Sequence, residues 1–216
     1  MASLVMEIHS VTPQPAKIQK VADALTTGAV LLYPTDTGFA LGCCLSHKQA
    51  IERLRQIRRL PSTKNLTFLC DSLKHIAEFA LVNNHAYKTL KRLIPGPYTF
   101  ILPATKAVPH FALDPKRKTS GIRVPAHPVA QALLQANGNP IISITAKHPD
   151  KDHNDDNEYL LELLEPLVDV VVTSEEYHFQ GESTVINMTT DNFSILRRGA
   201  GYKTVLQEIP EIVEAQ

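Results

Sequence analysis

The sequence has few cysteines, no excess of charge of either sign and no long hydrophobic run. The three cysteines, Cys43, Cys44 and Cys70, match neither an even disulfide set nor the spacing of a metal site, so a reducing, cytoplasmic location is expected. The 22 basic and 22 acidic residues cancel, so any surface for nucleic acid must be local. No apolar stretch reaches membrane-spanning length, and residues 1–11 lack the basic start of a signal peptide.

Several familiar motifs are also missing. There is no Gly-x-Gly-x-x-Gly, and no glycine directly precedes Lys203 as a phosphate loop requires. No Gly-x-Ser-x-Gly occurs, so covalent catalysis has no support. His148 and His153 enclose two aspartates, but they lie in a polar stretch without strict ligand spacing, so no metal site is predicted.

What the sequence does contain is a regular alternation of helical and strand patterns, which predicts an α/β fold. With 216 residues and 44% hydrophobic content, one domain is expected, spanning residues 1–204 and followed by a C-terminal tail at 205–216. Ser46 with Gln49 predicts a capping box, and Asp71 is predicted to cap the next helix. The predicted helices cover 17–25, 51–57, 73–80, 86–94, 129–134 and 160–167, and the predicted strands cover 29–33, 66–70, 98–102, 121–124, 140–145, 168–172, 184–188 and 194–196.

The segment Tyr33–Gly42 is the most informative local pattern. It is a polar, glycine-broken loop between two apolar strands, in which Pro34 ends the first strand and Thr35, Asp36 and Thr37 follow. Loops held by rigid strands often bind ligands. The alternative is an ordinary β-turn, in which these side chains serve only local backbone hydrogen bonds.

Polar clusters recur at the ends of other predicted strands. In an open α/β sheet, ligands bind at strand ends, and arginines there suit an anionic ligand because a guanidinium holds carboxylate or phosphate through two hydrogen bonds. The alternative is scattered surface charge. The polar stretch 148–157 is expected to be a mobile loop and is a candidate lid. The clusters are Thr35–Thr37, Arg58 through Lys64, Arg123, Ser143–Lys147 and Arg197–Gly199.

Taken together, six segments resemble the YrdC/YciO family, and most closely its YciO branch. Each segment alone is weak, but they run in the family's order and cover nearly the whole chain. They are Tyr33–Cys43 (YPTDTGFALGC), Pro95–Phe100 (PGPYTF), Lys116–Thr119 (KRKT), Arg123–Pro128 (RVPAHP), Ser183–Ile186 (STVI) and Arg197–Gly199 (RRG).

This resemblance implies a single-domain, twisted mixed α/β sheet with flanking helices and a large basic cavity. The YrdC relatives convert L-threonine, bicarbonate and ATP to threonylcarbamoyl-AMP and pyrophosphate. Their product feeds the modification of adenosine 37 in tRNA through a downstream transferase complex.

 For this protein, the resemblance implies that Mg²⁺ accompanies ATP and that the threonylcarbamoyl-AMP passes to such a transferase complex.

Carried over by position, the resemblance assigns residues to each ligand. Thr35 would contact threonine and Arg123 its carboxylate. The nucleotide side would be formed by Arg58, Ser143, Thr145, Lys147 and Arg197. The family is also described as binding double-stranded RNA and tRNA, and Lys116, Arg117 and Lys118 are plausible phosphate contacts.

The chain departs from the active YrdC enzymes at the residues that hold ATP. Those enzymes carry Lys-x-Arg and Ser-x-Asn, whereas this sequence has Arg58-Arg59-Leu60 and Thr145-Ala146-Lys147. One hypothesis is that Lys147 supplies the positive charge lost at Leu60; the alternative is that Lys147 merely begins the solvated loop. Three functions stay open: the synthase, a non-catalytic protein that binds double-stranded RNA or tRNA through the basic cavity, and an enzyme for a related adenylated or carbamoylated compound.

Overall fold

The computed structural model contains one mixed sheet with helices packed on it. It describes residues 3–61, 66–113, 118–147, 149, 157–175 and 177–215. The helices are α1 (Pro15–Thr26), α2 (Lys48–Ile57), α3 (Leu73–Phe79), α4 (Asn84–Leu93), α5 (Pro128–Asn137), α6 (Asn157–Leu164) and α7 (Tyr202–Glu208). The strands are β1 (Leu4–Glu7), β2 (Leu31–Thr35), β3 (Gly38–Cys44), β4 (Thr67–Leu69), β5 (Tyr98–Pro103), β6 (Thr119–Arg123), β7 (Ile141–Thr145), β8 (Val170–Thr173), β9 (Thr184–Asn187), β10 (Ser194–Arg197) and β11 (Val213–Glu214).

The sheet is mixed, with parallel and antiparallel neighbours. Its strand order is β1-β8-β2-β3-β7-β4-β6-β5-β9-β10-β11. For example, β2 pairs antiparallel with β3 and parallel with β8. This architecture confirms the predicted α/β fold with a mixed sheet and flanking helices.

Strand β2 shows why its sequence is apolar throughout. Side chains alternate between the two faces of a strand. Leu31 and Tyr33 pack in the core formed with α1 and α5, whereas Leu32 packs in the core on the opposite face. Both faces are covered, so all five residues of β2 are buried.

Pro34 does not end this strand as predicted. It lies within β2, opposite Phe39 of β3. The pairing of β2 with β8 covers only Leu31 and Leu32, so no strand among the described residues flanks Pro34 on its other side. A proline is tolerated there because it lacks an N–H that a second neighbour would need.

Two predicted helix caps are also wrong. Helix α2 follows His47 and has no side-chain cap, while the Ser46 hydroxyl instead lies 3.2 Å from the Cys44 sulfur. Helix α3 is capped by Ser72, whose Oγ accepts the N–H of His75 at 3.3 Å. Asp71 lies one residue before this cap, and its carboxylate accepts the Ser72 hydroxyl at 2.6 Å.

The C-terminal segment packs against the rest of the protein. Residues 205–215, which the sequence analysis separates as a tail, include most of α7 and all of β11. Val205 and Ile209 are buried, and β11 pairs in parallel with β10. Among the residues that the structure covers, no helix is both long enough and apolar enough to cross a bilayer.

The connection from β8 to β9, residues 174–183, crosses a face of the sheet. Six strands lie between β8 and β9 in the sheet order. In a flat sheet, the seven strand spacings from β8 to β9 would amount to about 34 Å. A connection of ten residues can cover that distance only when it is almost fully extended, because ten extended residues span at most about 36 Å. We call this connection the strap; position 176 within it lies outside the described residues. The rings of Tyr177 and Phe179 hold it against Phe39, with centroids 4.6 and 5.3 Å away.

Candidate substrate cavity

A cavity of about 590 Å³ lies between the sheet and the end of the strap. Its volume is typical of sites for small molecules, which are about 300–1,000 Å³. All seven residues that the sequence analysis assigned to threonine or nucleotide line it. They are Thr35, Arg58, Arg123, Ser143, Thr145, Lys147 and Arg197. Their proximity is established by the structure, while their roles toward ligands stay predictions.

The threonine-rich hairpin forms one part of the wall. Thr35 pairs with Gly38, so Asp36 and Thr37 form a two-residue turn between β2 and β3. The Thr35 hydroxyl donates to the Gly38 carbonyl at 2.7 Å and accepts the Thr37 N–H at 3.3 Å. The segment is therefore a β-turn with local hydrogen bonds, and the same turn also lines the cavity.

Arg123 is held in place by this turn. Its guanidinium donates to the Asp36 carboxylate and the Thr37 hydroxyl, and its Nε donates to the Gly96 carbonyl at 3.3 Å. Arg123 is only 6% exposed. Burial lowers the pKa of Arg123, and the Asp36 carboxylate opposes this effect. Three of its five N–H groups are thus paired with described residues, and the guanidinium has two further N–H donors.

Two polar atoms near this ion pair lack hydrogen-bond partners among the described residues. They are Oδ2 of Asp36 and Nδ1 of His127, and both side chains are buried. Burial lowers the pKa of His127, while the negative charge of Asp36 raises it. A buried polar atom without a partner is costly, so this corner of the protein favours a bound water or ligand atom.

Tyr33 orients Ser143 toward the cavity. The Tyr33 hydroxyl donates to Ser143 Oγ at 3.0 Å. Burial raises the pKa of Tyr33, so it remains a donor. Ser143 Oγ accepts this bond and can donate its own proton to a ligand.

Arg58 joins the two parts of the predicted nucleotide site. Its Nε donates to the Thr145 carbonyl at 3.0 Å, and its Nη1 donates to the Lys147 carbonyl at 2.7 Å. Leu60 lines the same cavity. Burial lowers the pKa of Arg58 below its usual value, and the negative charge of Glu182 offsets part of this shift. The guanidinium therefore ties the end of β7 to the end of α2.

Glu182 is the main cavity residue that sequence reasoning missed. Its Oε1 lies 2.6 Å from Lys147 Nζ, and its Oε2 lies 3.0 Å from Nη1 of Arg197. The hydrogen bond from Lys147 lowers the pKa of Glu182, so the carboxylate stays ionised. Its position directly before the family-like segment Ser183–Ile186 was the signal that could have found it.

The cavity is basic, as the resemblance implies. Its described lining includes four cationic side chains and one carboxylate, that of Glu182. No group of three or more histidine, cysteine, aspartate or glutamate side chains in the described part of the chain could hold a metal. His148 and His153 lie outside the described residues, as do residues 150–156 of the candidate lid.

The predicted RNA contacts lie apart from this cavity or beyond the described residues. Lys118 is described and has a left-handed backbone, with φ of 49°, but it does not line the cavity. Lys116 and Arg117 fall outside the part of the chain that the structure describes. Their contact with RNA stays a prediction.

Gly199 allows the strap to lie close to the end of β10. A Cβ at this position would lie 2.2 Å from the Glu182 carbonyl oxygen and 2.6 Å from the Ser183 carbonyl. We expect Gly199→Ala to lower the free energy of unfolding by about 2–4 kcal/mol, as overpacking does when backbone must move. Urea denaturation measures this change.

Gly138 offers the matched control. It has φ of +65° but nothing within 4 Å of its ideal Cβ. Gly138→Ala should therefore cost only about 1 kcal/mol of backbone strain. Equal effects of the two substitutions would show that crowding at Gly199 is not important.

The fold and cavity define an α/β protein with a basic cavity of the size that is typical of small-molecule sites. Comparison with known proteins places it more closely. A family model described as Telomere recombination (Sua5_yciO_yrdC) matches residues 23–199. The chain belongs to the Sua5/YciO/YrdC family, which confirms the resemblance found in the sequence.

Three relatives are informative. The uncharacterized protein YciO of Escherichia coli (strain K12) is 40% identical over 195 residues, which cover 90% of this chain and 94% of YciO. The E. coli YciO crystal structure matches with a TM-score of 0.85 over 91% of this chain and 96% of that one. A threonylcarbamoyl-AMP synthase of Vibrio vulnificus (strain YJ016) is 33% identical over 134 residues, which cover 61% of this chain and 72% of the synthase. P. abyssi Sua5, crystallised with L-threonine, matches with a TM-score of 0.84 at 25% identity, over 99% of this chain and 63% of that one.

Proposed function

We propose that the protein is an ATP-dependent L-threonylcarbamoyladenylate synthase, a nucleotidyltransferase. It would convert L-threonine, bicarbonate and ATP to threonylcarbamoyl-AMP and pyrophosphate for tRNA modification. One observation carries the proposal. The residues predicted to bind threonine and the cationic residues predicted to bind the nucleotide line the same cavity. The relationship to a threonylcarbamoyl-AMP synthase supports it.

The two parts of the cavity suit the two larger substrates. Arg123 retains two N–H groups for the threonine carboxylate, and Ser143 can donate a further hydrogen bond. The phosphates would lie toward Arg58, Lys147 and Arg197. The apolar side chains of Leu60 and Ile144 also line the cavity and offer surface for the rest of the nucleotide.

The proposed reaction needs no nucleophilic side chain. The threonine amine forms an N–C bond with bicarbonate and water leaves, which gives a carbamate. A carbamate oxygen then attacks the α-phosphorus of ATP, and the bond to pyrophosphate breaks. The protein contributes by holding the reactants together and by placing cations near the developing negative charge.

The cavity does not form a dedicated Mg²⁺ site from its described residues. Magnesium is usually held by carboxylates together with substrate phosphates. Glu182 is the carboxylate in the described lining, and it is already paired with Lys147 and Arg197. No reaction step is therefore assigned to a metal held by the protein alone, and Mg²⁺ would enter the cavity bound to ATP.

Pyrophosphate release tests the proposed function. Purified protein is incubated with ATP, Mg²⁺ and bicarbonate, with or without L-threonine. Threonine-dependent release is expected, together with threonylcarbamoyl-AMP detected by mass spectrometry. Release that does not depend on threonine would contradict the proposed substrate.

The second candidate, a non-catalytic protein that binds double-stranded RNA or tRNA, would use the basic charge of the same cavity. A cavity of about 590 Å³ accepts a nucleotide but not a duplex, which proteins recognise over many base pairs. RNA would therefore dock at the cavity rim. Salt-sensitive RNA binding without pyrophosphate release would favour this candidate over the synthase.

Lys147→Asn tests the proposed charge compensation at the altered nucleotide site. This substitution restores the residue of the active YrdC enzymes, yet we expect it to weaken ATP binding about three- to tenfold, because it removes a cation and leaves the charge of Glu182 less balanced. Isothermal titration calorimetry with ATP measures the change. Unchanged or tighter ATP binding would show that Lys147 does not compensate for Leu60.

A further inference from the structure

The end of the strap places a carboxylate between two cations that line the cavity. Lys147 follows β7 and Arg197 ends β10, so these residues approach Glu182 from different parts of the sheet. Glu182 bridges them with its two separate oxygens. The pair of cations therefore holds an anionic group that the protein itself supplies.

The other two cavity cations are committed to different partners. Arg58 donates to the carbonyls of Thr145 and Lys147. Arg123 is paired with the buried carboxylate of Asp36. Arg197 also donates from Nε and Nη2 to the Ser183 carbonyl, at 3.1 and 2.8 Å, so its guanidinium stays in place when Nη1 separates from Glu182. A phosphate that binds between Lys147 and Arg197 would therefore have to displace the Glu182 carboxylate.

We propose that Glu182 is a specificity-determining residue whose carboxylate occupies a phosphate subsite, and that a polyphosphate replaces it between Lys147 and Arg197. This inference rests on the proposed function, since it assigns the phosphates of the nucleotide to that side of the cavity. It makes ligand charge important, because a polyphosphate offers Lys147 and Arg197 more negative charge than the carboxylate does, whereas a ligand with a single negative charge offers no more.

The exposure of the ion pairs makes this displacement feasible. The side chains of Lys147 and Glu182 are each 40% exposed, and that of Arg197 is 43% exposed. Ion pairs with such exposure contribute little to stability, because water screens them. Separating them therefore costs little, and the freed carboxylate remains hydrated.

The backbone around Glu182 is held independently of its side chain. The Glu182 carbonyl accepts the N–H of Ala200 at 2.8 Å, and the N–H of Gln180 donates to the Asp36 carbonyl at 2.9 Å. Rotation of the Glu182 side chain breaks neither bond. The carboxylate can leave the subsite while the strap stays in place.

Binding of inorganic pyrophosphate by Glu182→Gln tests the proposal. Calorimetry should show roughly tenfold tighter binding than in the parent protein, because the competing charge is gone while the side-chain shape is kept. Glu208→Gln is the matched control. Glu208 is also partly exposed and lies 3.5 Å from an arginine, Arg92, yet it does not line the cavity, so its substitution should leave the affinity unchanged.

A double-mutant cycle separates displacement from a general change in charge. In a Lys147→Met background, Glu182→Gln should improve pyrophosphate binding less than threefold, because much of the subsite is already lost. A full tenfold gain in that background would overturn the proposed subsite. Unchanged or weaker binding by Glu182→Gln alone would overturn the displacement itself.

Two further measurements keep the result interpretable. Thermal melting checks that Glu182→Gln is folded, and Glu182→Ala provides a second variant that removes the carboxylate and should also tighten binding. Pyrophosphate binding needs no turnover. Absence of threonine-dependent pyrophosphate release would therefore contradict the synthase activity alone. Unchanged pyrophosphate binding by Glu182→Gln would contradict this inference alone.

Discussion

Arg123→Met is expected to lower the free energy of unfolding by about 3–5 kcal/mol, which is the usual cost of removing one partner from a buried ion pair. Arg123 is 6% exposed and Asp36 is 3% exposed, so the carboxylate stays largely shielded from bulk water when the guanidinium is lost. The Asp36 carboxylate already has one oxygen without a partner among the described residues. Urea denaturation at neutral pH measures the loss.

The double variant Asp36→Asn/Arg123→Met distinguishes lost pairing from lost packing. Replacing the unpaired Asp36 carboxylate by an amide should recover about half of the unfolding free energy that Arg123→Met loses, because an amide is less costly to bury than a carboxylate. Arg92→Met, at a half-exposed arginine paired with Glu208, should change stability by only about 0.5 kcal/mol. If the double variant is no more stable than Arg123→Met, the buried charge is not the cause.

The fold could be predicted from the sequence because its patterns are local. Helix α1 shows this, since Ile18, Val21 and Leu25 recur at helical spacing and all three are buried. Strand β2 is apolar because it is covered on both faces. The caps of α2 and α3 could not be predicted as securely, because several neighbouring polar side chains compete for the same backbone groups.

The residues of the cavity were predicted largely through the family resemblance, whereas their pairing was not. Asp36 and Arg123 are 87 positions apart, and Lys147 and Glu182 are 35 apart. Nothing in the local pattern reveals such contacts, which depend on strand order and on the strap. The sequence thus indicated a basic site but missed the carboxylate that occupies part of it.

Arg58→Met is expected to reduce the kcat/KM of threonine-dependent pyrophosphate release about 100-fold or more, while the free energy of unfolding falls by no more than about 2 kcal/mol. Two effects act together. The substitution removes a cation from the cavity, and it releases the carbonyls of Thr145 and Lys147 that the guanidinium holds. Steady-state kinetics and urea denaturation measure the two quantities on the same samples.

Arg58→Lys separates the charge from the tether. Lysine keeps the positive charge, but its compact ammonium group cannot reproduce the planar guanidinium that donates to both carbonyls. If charge is the larger contribution, as we expect, Arg58→Lys should retain activity within about tenfold of the parent. Arg198→Met, which removes an exposed arginine paired with Glu214 away from the cavity, should leave kcat/KM unchanged. A Lys variant as inactive as the Met variant would mean instead that Arg58 acts mainly by holding the end of β7 against α2.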